Sequence, residues 1–187
     1  KELSDRAISL LQEMDYIVAE DTRVSGKLLN HYNIKKPLIS CHEHNETTAS
    51  KDIVKLLKDG KKVAYMSDAG MPCISDPGYI LVRECIINDI NISPISGPNA
   101  ALDALIASGL DTNRFYFHGF LNAKQSVRKE ELRKLFLKSE TLIFYEAPHR
   151  INKTLKDMLS ILGLPIEYKV LSEDDIALYN EYLTSKA

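Results

Sequence analysis

The residues best equipped for chemistry fall in five short clusters: Glu20-Asp21-Thr22-Arg23, His42-Glu43-His44-Asn45, a run from 68 to 78, Ser96-Gly97-Pro98-Asn99, and Glu146-Ala147-Pro148-His149-Arg150. Carboxylates, imidazoles and guanidinium groups can accept a proton or stabilise a developing negative charge. The 68 to 78 run works differently. Gly70 and Gly78 permit close approach to the main chain, while Pro72 and Pro77 stiffen the loop and remove amide donors, so it is suited to hold a ligand against backbone. A rigid turn between strand and helix would use the same residues. His42 and His44 have no third ligand at ordinary spacing, so no metal is expected there.

These clusters follow apolar runs that read as strands. Ser4 can cap a helix with Ala7, Ile8, Leu11 and Met14 on one face, after which Tyr16-Ile17-Val18-Ala19 is a strand. A short helix around Lys27-Leu28-Leu29 precedes the strand Pro37-Leu38-Ile39-Ser40. A helix carrying Ile53, Val54, Leu56 and Leu57 precedes the strand Val63-Ala64-Tyr65-Met66. The helix Tyr79–Ile87 leads to a strand at 91–95, where Pro94 predicts a bend or an end. Further on come a helix over 99–107, the strand Phe115-Tyr116-Phe117, a charged helix over 124–138, the strand Thr141-Leu142-Ile143-Phe144-Tyr145 and a helix over 150–162. This alternation predicts an α/β fold with a mostly parallel sheet and helices on both faces. Ligands of such sheets sit beyond the carboxyl ends of the strands, and the five clusters lie there on what reads as one rim. The change from an aromatic strand to a charged helix places a domain boundary at 119/120, with domains 1–119 and 120–187.

The 187 residues suffice for a sizeable core, and a net charge of −2 argues against gripping nucleic acid by bulk electrostatics. The three cysteines form no CxxC pair and leave an odd thiol, which predicts no disulfide framework and a cytoplasmic setting. No apolar stretch spans a bilayer, and the charged start lacks a signal-peptide core, so no membrane partner is expected. The GxGxxG, GxxxxGK[ST] and GxSxG patterns are absent, which disfavours dinucleotides, nucleotide triphosphates and a hydrolase serine. A ligand recognised through backbone and shape remains, and S-adenosylmethionine fits that description.

Taken together, Ala19-Glu20-Asp21-Thr22-Arg23, His42-Glu43-His44-Asn45-Glu46, Ser67-Asp68-Ala69-Gly70, Ile74-Ser75-Asp76-Pro77-Gly78, Gly97-Pro98, Ala107-Ser108-Gly109-Leu110 and Tyr145-Glu146-Ala147-Pro148-His149-Arg150 resemble the small-subunit (16S) ribosomal RNA 2′-O-cytidine methyltransferases of the tetrapyrrole methylase superfamily. The resemblance implies a tetrapyrrole methylase-like fold with a second, incomplete α/β domain and S-adenosyl-L-methionine in the cleft between the two. It also implies a homodimer and methyl transfer to a cytidine ribose 2′-hydroxyl of 16S rRNA in the small ribosomal subunit. The family carries a strand and a Pro-Ile-Gly-Asn loop ahead of the position of Lys1 and most of its second domain beyond Gly163, so the resemblance implies missing segments. The stretch 174–183 resembles the family's closing helix.

Carried over by motif, Asp68, Ala69, Gly70, Met71, Pro72 and Ile74 form the first cofactor loop, with Met71 in place of the family's Asp or Thr and so offering backbone rather than a side chain. Asn99 and Ala100 fall on the second cofactor loop, and Tyr145 and Glu146 where a strand of the second domain meets the cofactor. Asn45, His149 and Arg150 would face the RNA. Methyl transfer to a hydroxyl demands alignment first and then a proton acceptor or a cation for the incipient alkoxide. Asp21, Arg23, His42 and His44, with Glu43 beside them, are the candidates. Asp21 would equally cap the following helix. Lys124, Arg128, Lys129, Arg133, Lys134 and Lys138 make a basic helix suited to a solvated face or to phosphate contact. The alternatives are a small-molecule tetrapyrrole methylase of the same fold and a non-catalytic S-adenosylmethionine-binding remnant.

Overall fold

The computed structural model of the chain describes residues 3–162. Their order is α1 (Asp5–Glu13), β1 (Tyr16–Ala19), α2 (Thr22–His31), β2 (Leu38–Ser40), α3 (Glu46–Lys58), β3 (Val63–Met66), α4 (Tyr79–Ile87), α5 (Ala100–Ser108), β4 (Phe115–Phe120), α6 (Gln125–Leu135), β5 (Thr141–Tyr145) and α7 (Ile151–Leu162). Polar side chains start several helices, Ser4 and Asp21 as the sequence predicts and Asn99 in addition. Ser4 accepts from the Ala7 amide at 3.2 Å, Asp21 from Arg23 at 2.8 Å and Asn99 from Leu102 at 3.2 Å, each satisfying an otherwise unpaired first-turn donor.

Two compact units form, Lys1–Pro98 and Asn99–Ala187. In the first, the sheet has the order β2-β1-β3, and both pairings are parallel. β1 is central, and its alternation splits the core. Val18 joins Cys41, Ile53, Val54, Leu81 and Cys85 on one face, while Ile17 joins Leu11, Leu29 and Ile34 on the other. Both Ile17 and Val18 are fully buried, as a strand covered by helices on both faces requires. Burial raises the Cys41 thiol to about 11 and pushes Cys73 and Cys85 up as well, and all three cysteines are free.

In the second unit β4 pairs with β5 in parallel, with a register shift between Phe117 and Gly119. Ile143 packs with Ala101, Leu105 and Phe117 on one side. Leu142 and Phe144 pack with Leu121, Leu132 and Leu135 on the other. This pairing moves the boundary: it falls after Pro98 rather than at 119/120, because β4 hydrogen-bonds to β5 and so belongs to the second unit.

Three further expectations change. Residues 91–95 form no strand; Pro94 cannot donate to a ladder, and Ile92 is exposed. The single rim becomes two sheets, with the first three clusters after β1, β2 and β3, and the Glu146 to Arg150 cluster after β5. The basic helix is α6, and only part of it is a solvated face: Arg128 is buried with Asp157, which Lys129 also approaches, whereas Arg133 and Lys134 meet Glu130 on an exposed face, Lys124 is exposed, and Lys138, past the helix, lies over the Tyr116 ring. The family-like stretch 174–183 lies outside the described residues. Among those described, no helix is long and apolar enough to cross a membrane.

Candidate functional site

β1 delivers Glu20 and Asp21 to the carboxyl edge of the first sheet, where α2 begins. Asp21 does two things at once. One oxygen, Oδ1, accepts from the Arg23 amide at 2.8 Å and from Nε at 3.0 Å, and Oδ2 accepts from Nη2 at 2.6 Å, a two-pronged carboxylate–guanidinium pair. The Arg23 side chain is 86% exposed and that of Asp21 28%, so the pair presents its cation outward from a partly covered carboxylate. Hydrogen bonds from the Arg23 side chain hold Asp21 well below the usual carboxylate range. A carboxyl so stabilised in its ionised form is a weaker base, and it holds the Arg23 guanidinium in place.

The neighbouring acids behave in the opposite sense. Glu20 is raised by burial and then by Asp68 and Asp76, and Asp76 is raised by burial and by Asp68. Asp68 also accepts from the Asp21 amide at 3.3 Å, tying the β1 and β3 ends together. Neither Glu20 nor Asp76 stood out in the sequence as a titrating group, because the crowding arises between strand ends more than 40 residues apart. Among the described residues, no group of three or more His, Cys, Asp and Glu side chains could hold a metal.

After β2 the turn is braced from inside. Asn45 Oδ1 accepts from the His42 amide at 2.8 Å, and its Nδ2 donates to the Ser40 carbonyl at 3.1 Å. His42 Nδ1 accepts from the His44 amide at 3.3 Å, and the two rings meet edge to face at 5.9 Å. Asn45 thus shapes the turn with both ends of its amide, and His44 and Glu43 remain on the surface.

The 67–78 loop after β3 concentrates left-handed backbone at Gly70, Cys73, Ser75 and Gly78, with φ of 69°, 70°, 59° and 127°. Cys73 and Ser75 carry backbone strain there, whereas the two glycines adopt these angles freely. Ser67 Oγ donates to the Ala69 carbonyl at 3.1 Å and lies 3.4 Å from that of Gly70. Asp68, Ala69 and Gly70 are exposed, Met71 and Pro72 half-buried, and Ile74 42% exposed. A Cβ at Gly70 would meet nothing within 4 Å, so the space above its backbone is open.

In the second unit, Asn99 caps α5 and Ala100 opens it. Tyr145 ends β5 with its ring 5.0 Å from that of Phe117 and 5.6 Å from that of Phe120. Glu146 is enclosed: Oε1 accepts from Arg150 at 2.8 and 2.6 Å and from the Ala147 amide at 2.8 Å, and Oε2 accepts from Thr154 at 2.5 Å. Burial works to raise its carboxyl, but the Thr154 and Arg150 hydrogen bonds outweigh it and the net shift is downward. Arg150 also donates to the Leu121 carbonyl at 3.3 Å, while His149 stays exposed. The Glu146 and Arg150 side chains therefore brace the β5–α7 turn, leaving backbone and His149 as its outward groups.

The chain matches the sequence profile of the tetrapyrrole (corrin/porphyrin) methylases over residues 1–170. It is 48% identical over 163 residues to the ribosomal RNA small subunit methyltransferase I of Haemophilus influenzae, covering 87% of this chain and 58% of that protein. To the protein of the same name from Bacillus subtilis it is 48% identical, covering 87% of this chain and 56% of the relative. For that of Escherichia coli O157:H7 the identity is 42%, covering 92% of this chain and 60% of the relative. The chain thus spans less than two thirds of these relatives' length. Among solved structures it is similar to the methyltransferase CobJ, with a TM-score of 0.60 at 16% identity over 86% of this chain and 71% of that one. The cobalt precorrin-4 methyltransferase CbiF gives a TM-score of 0.58 at 13% identity over 97% of this chain and 84% of that one. At such identities the likeness concerns the fold.

Proposed function

Because the chain belongs to the tetrapyrrole (corrin/porphyrin) methylase family, we propose that it works as an S-adenosylmethionine-dependent methyltransferase on a cytidine ribose 2′-hydroxyl of 16S ribosomal RNA. The observation that carries this is the 48% identity, over 163 residues, to a ribosomal RNA small subunit methyltransferase I. A corrin-type substrate is the weaker alternative, since the likeness to CobJ and CbiF stops at 16% and 13% identity.

The residues present suit the cofactor. Gly70 offers uncovered backbone with open space above it, and the crowded acids Glu20, Asp68 and Asp76 favour a cationic ligand over a neutral one. When bound, S-adenosylmethionine would supply an electrophilic methyl group, with the thioether of S-adenosylhomocysteine as the leaving group. The backbone of residues 68–74 would hold it. Arg23, steadied by Asp21, would meet a phosphate or the negative charge that grows on the ribose oxygen. Glu20, the more basic of the β1 carboxylates, is better suited than Asp21 to take the hydroxyl proton. His42, His44, Asn45, His149 and Arg150 belong to the RNA side of this proposal, Asn45 and Arg150 by shaping their turns. A homodimer and a cytoplasmic setting complete it.

The test is methyl transfer from S-adenosylmethionine to isolated small ribosomal subunits by the full-length protein, with the product nucleoside identified by mass. Transfer to a corrinoid and none to the subunit would overturn the proposal. Gly70→Val is expected to weaken S-adenosylhomocysteine binding about tenfold or more: its Cβ meets no protein atom but fills the ligand's approach, and at a φ of 69° the β-branched side chain also strains the loop, so the melting temperature falls as well. Unchanged affinity in calorimetry would remove residues 68–74 from the site.

Arg23→Ala and Asp21→Asn are expected to lower single-turnover methylation by about tenfold or more, with cofactor affinity nearly intact, as for interactions made chiefly in the transition state. Asparagine keeps the cap on α2 and weakens only the ion pair, so Asp21→Asn separates the two jobs of this side chain. Wild-type rates in both variants would leave the pair a purely structural role.

A further inference from the structure

Helix α4 begins without a cap of its own. Its first position is preceded by Gly78, which has no side chain to offer the orphan amides of the first turn. Those amides are met from elsewhere. Glu46, the first residue of α3 and only 8% exposed, turns its carboxylate away from its own helix, and Oε1 accepts from the Gly78 amide at 2.8 Å and the Ile80 amide at 2.9 Å. A carboxylate at that spot also complements the positive end of the α4 dipole.

The bond to Gly78 matters because that residue is where the 67–78 loop re-enters the fold. Gly78 is buried, and a Cβ there would collide with the Tyr65 ring and come within 2.8 Å of Cys73 Sγ. Cys73, itself left-handed, donates its amide to the Pro77 carbonyl at 3.2 Å, so the placement of Gly78 passes directly to the middle of the loop. Gly70 and Ile74, between the end of β3 and this buried end, are exposed.

We infer that Glu46 is a positioning residue for the cofactor: by accepting from Gly78 and Ile80 it couples the histidine turn after β2 to the loop after β3 and holds that loop in its ligand-ready shape. This rests on the proposal that the loop binds S-adenosylmethionine. It assigns to Glu46 no contact with cofactor or RNA.

Glu46→Ala is expected to weaken S-adenosylhomocysteine binding about tenfold or more and to raise KM for S-adenosylmethionine similarly, with kcat at saturation within about threefold of wild type. Protease cleavage between residues 67 and 78 should accelerate. Glu46→Gln keeps an acceptor oxygen and should restore binding to within about threefold, a rescue that loss of general stability would not give. Should Glu46→Ala fail to fold, Glu46→Asp, too short to reach both amides, takes its place in the same assays. Wild-type affinity and wild-type cleavage in either folded variant overturn the inference. A wild-type protein that binds neither S-adenosylmethionine nor S-adenosylhomocysteine, while Glu46→Ala still loosens the loop, overturns instead the cofactor role on which it rests.

Discussion

Arg128→Ala is expected to destabilise the second unit by about 3–5 kcal/mol, the cost of leaving a buried charge without its partner. Arg128 and Asp157 are 5% and 4% exposed and meet through Nη2 at 2.6 Å and Nε at 2.9 Å. The same guanidinium donates through Nη1 to the carbonyls of Asn122 and Ala123 at 3.1 and 3.0 Å, so alanine would orphan a carboxylate oxygen and two carbonyls together. Gln125 and Lys129 would remain on the other Asp157 oxygen, at 2.8 and 3.5 Å. Replacing both partners by apolar residues, Arg128→Met with Asp157→Leu, should recover most of the loss. Denaturant melts of the single and double variants decide the point, and a single variant losing less than about 1 kcal/mol would refute it.

The pair also fixes a pH dependence. For Asp157 burial works upward, but hydrogen bonds from Gln125 and Arg128 and the Arg128 charge prevail, and its carboxyl lies below the ordinary 3.8. A group depressed on folding contributes stability that is complete above its unfolded pKa and disappears as pH falls through the folded one. Glu146 has the same sign. The second unit should therefore lose stability as pH drops below about 4, and Arg128→Ala should flatten that slope.

Gly78→Ala is the other large effect. Its φ of 127° lies where an L side chain is strained, and the new methyl would run into the Tyr65 ring and Cys73. Backbone strain and overpacking each cost about 1–3 kcal/mol, and relieving them requires the Glu46 bond to stretch. The expected result is a lowered denaturant midpoint for the first unit together with loss of cofactor binding. A variant with native stability would show that the turn accommodates a side chain after all.

Local chemistry in the sequence led directly to much of this structure. The periodicity around Tyr79 and the run Thr141 to Tyr145 gave α4 and β5 with their observed bounds, and Ser4, Asp21 and Asn99 cap helices as their types demand. The hidden features depend on partners far along the chain. Arg128 read as a surface cation because Asp157 lies 29 positions away, and Glu46 read as part of a histidine turn because Gly78 and Ile80 lie 32 and 34 away. The domain boundary was hidden likewise, since nothing local in Phe115-Tyr116-Phe117 announces that its partner is β5. At the site, the cluster of acids was visible but not its titration, which arises from burial and from strand pairing.

The two ends of the 67–78 loop also differ in how they are fastened. Beyond the bond from the Asp21 amide to Asp68, its early residues carry short-range bonds such as Ser67 to Ala69 and Ile74 to Met71, whereas Gly78 and Ile80 are bonded to a carboxylate in the core. Amide hydrogen exchange should therefore change abruptly along this segment, fast before Pro77 and slow from Gly78 onward. Any motion of residues 69–76 is therefore expected to turn about the fastened end at Gly78, on the nanosecond-to-microsecond scale of loops, while α4 keeps its place.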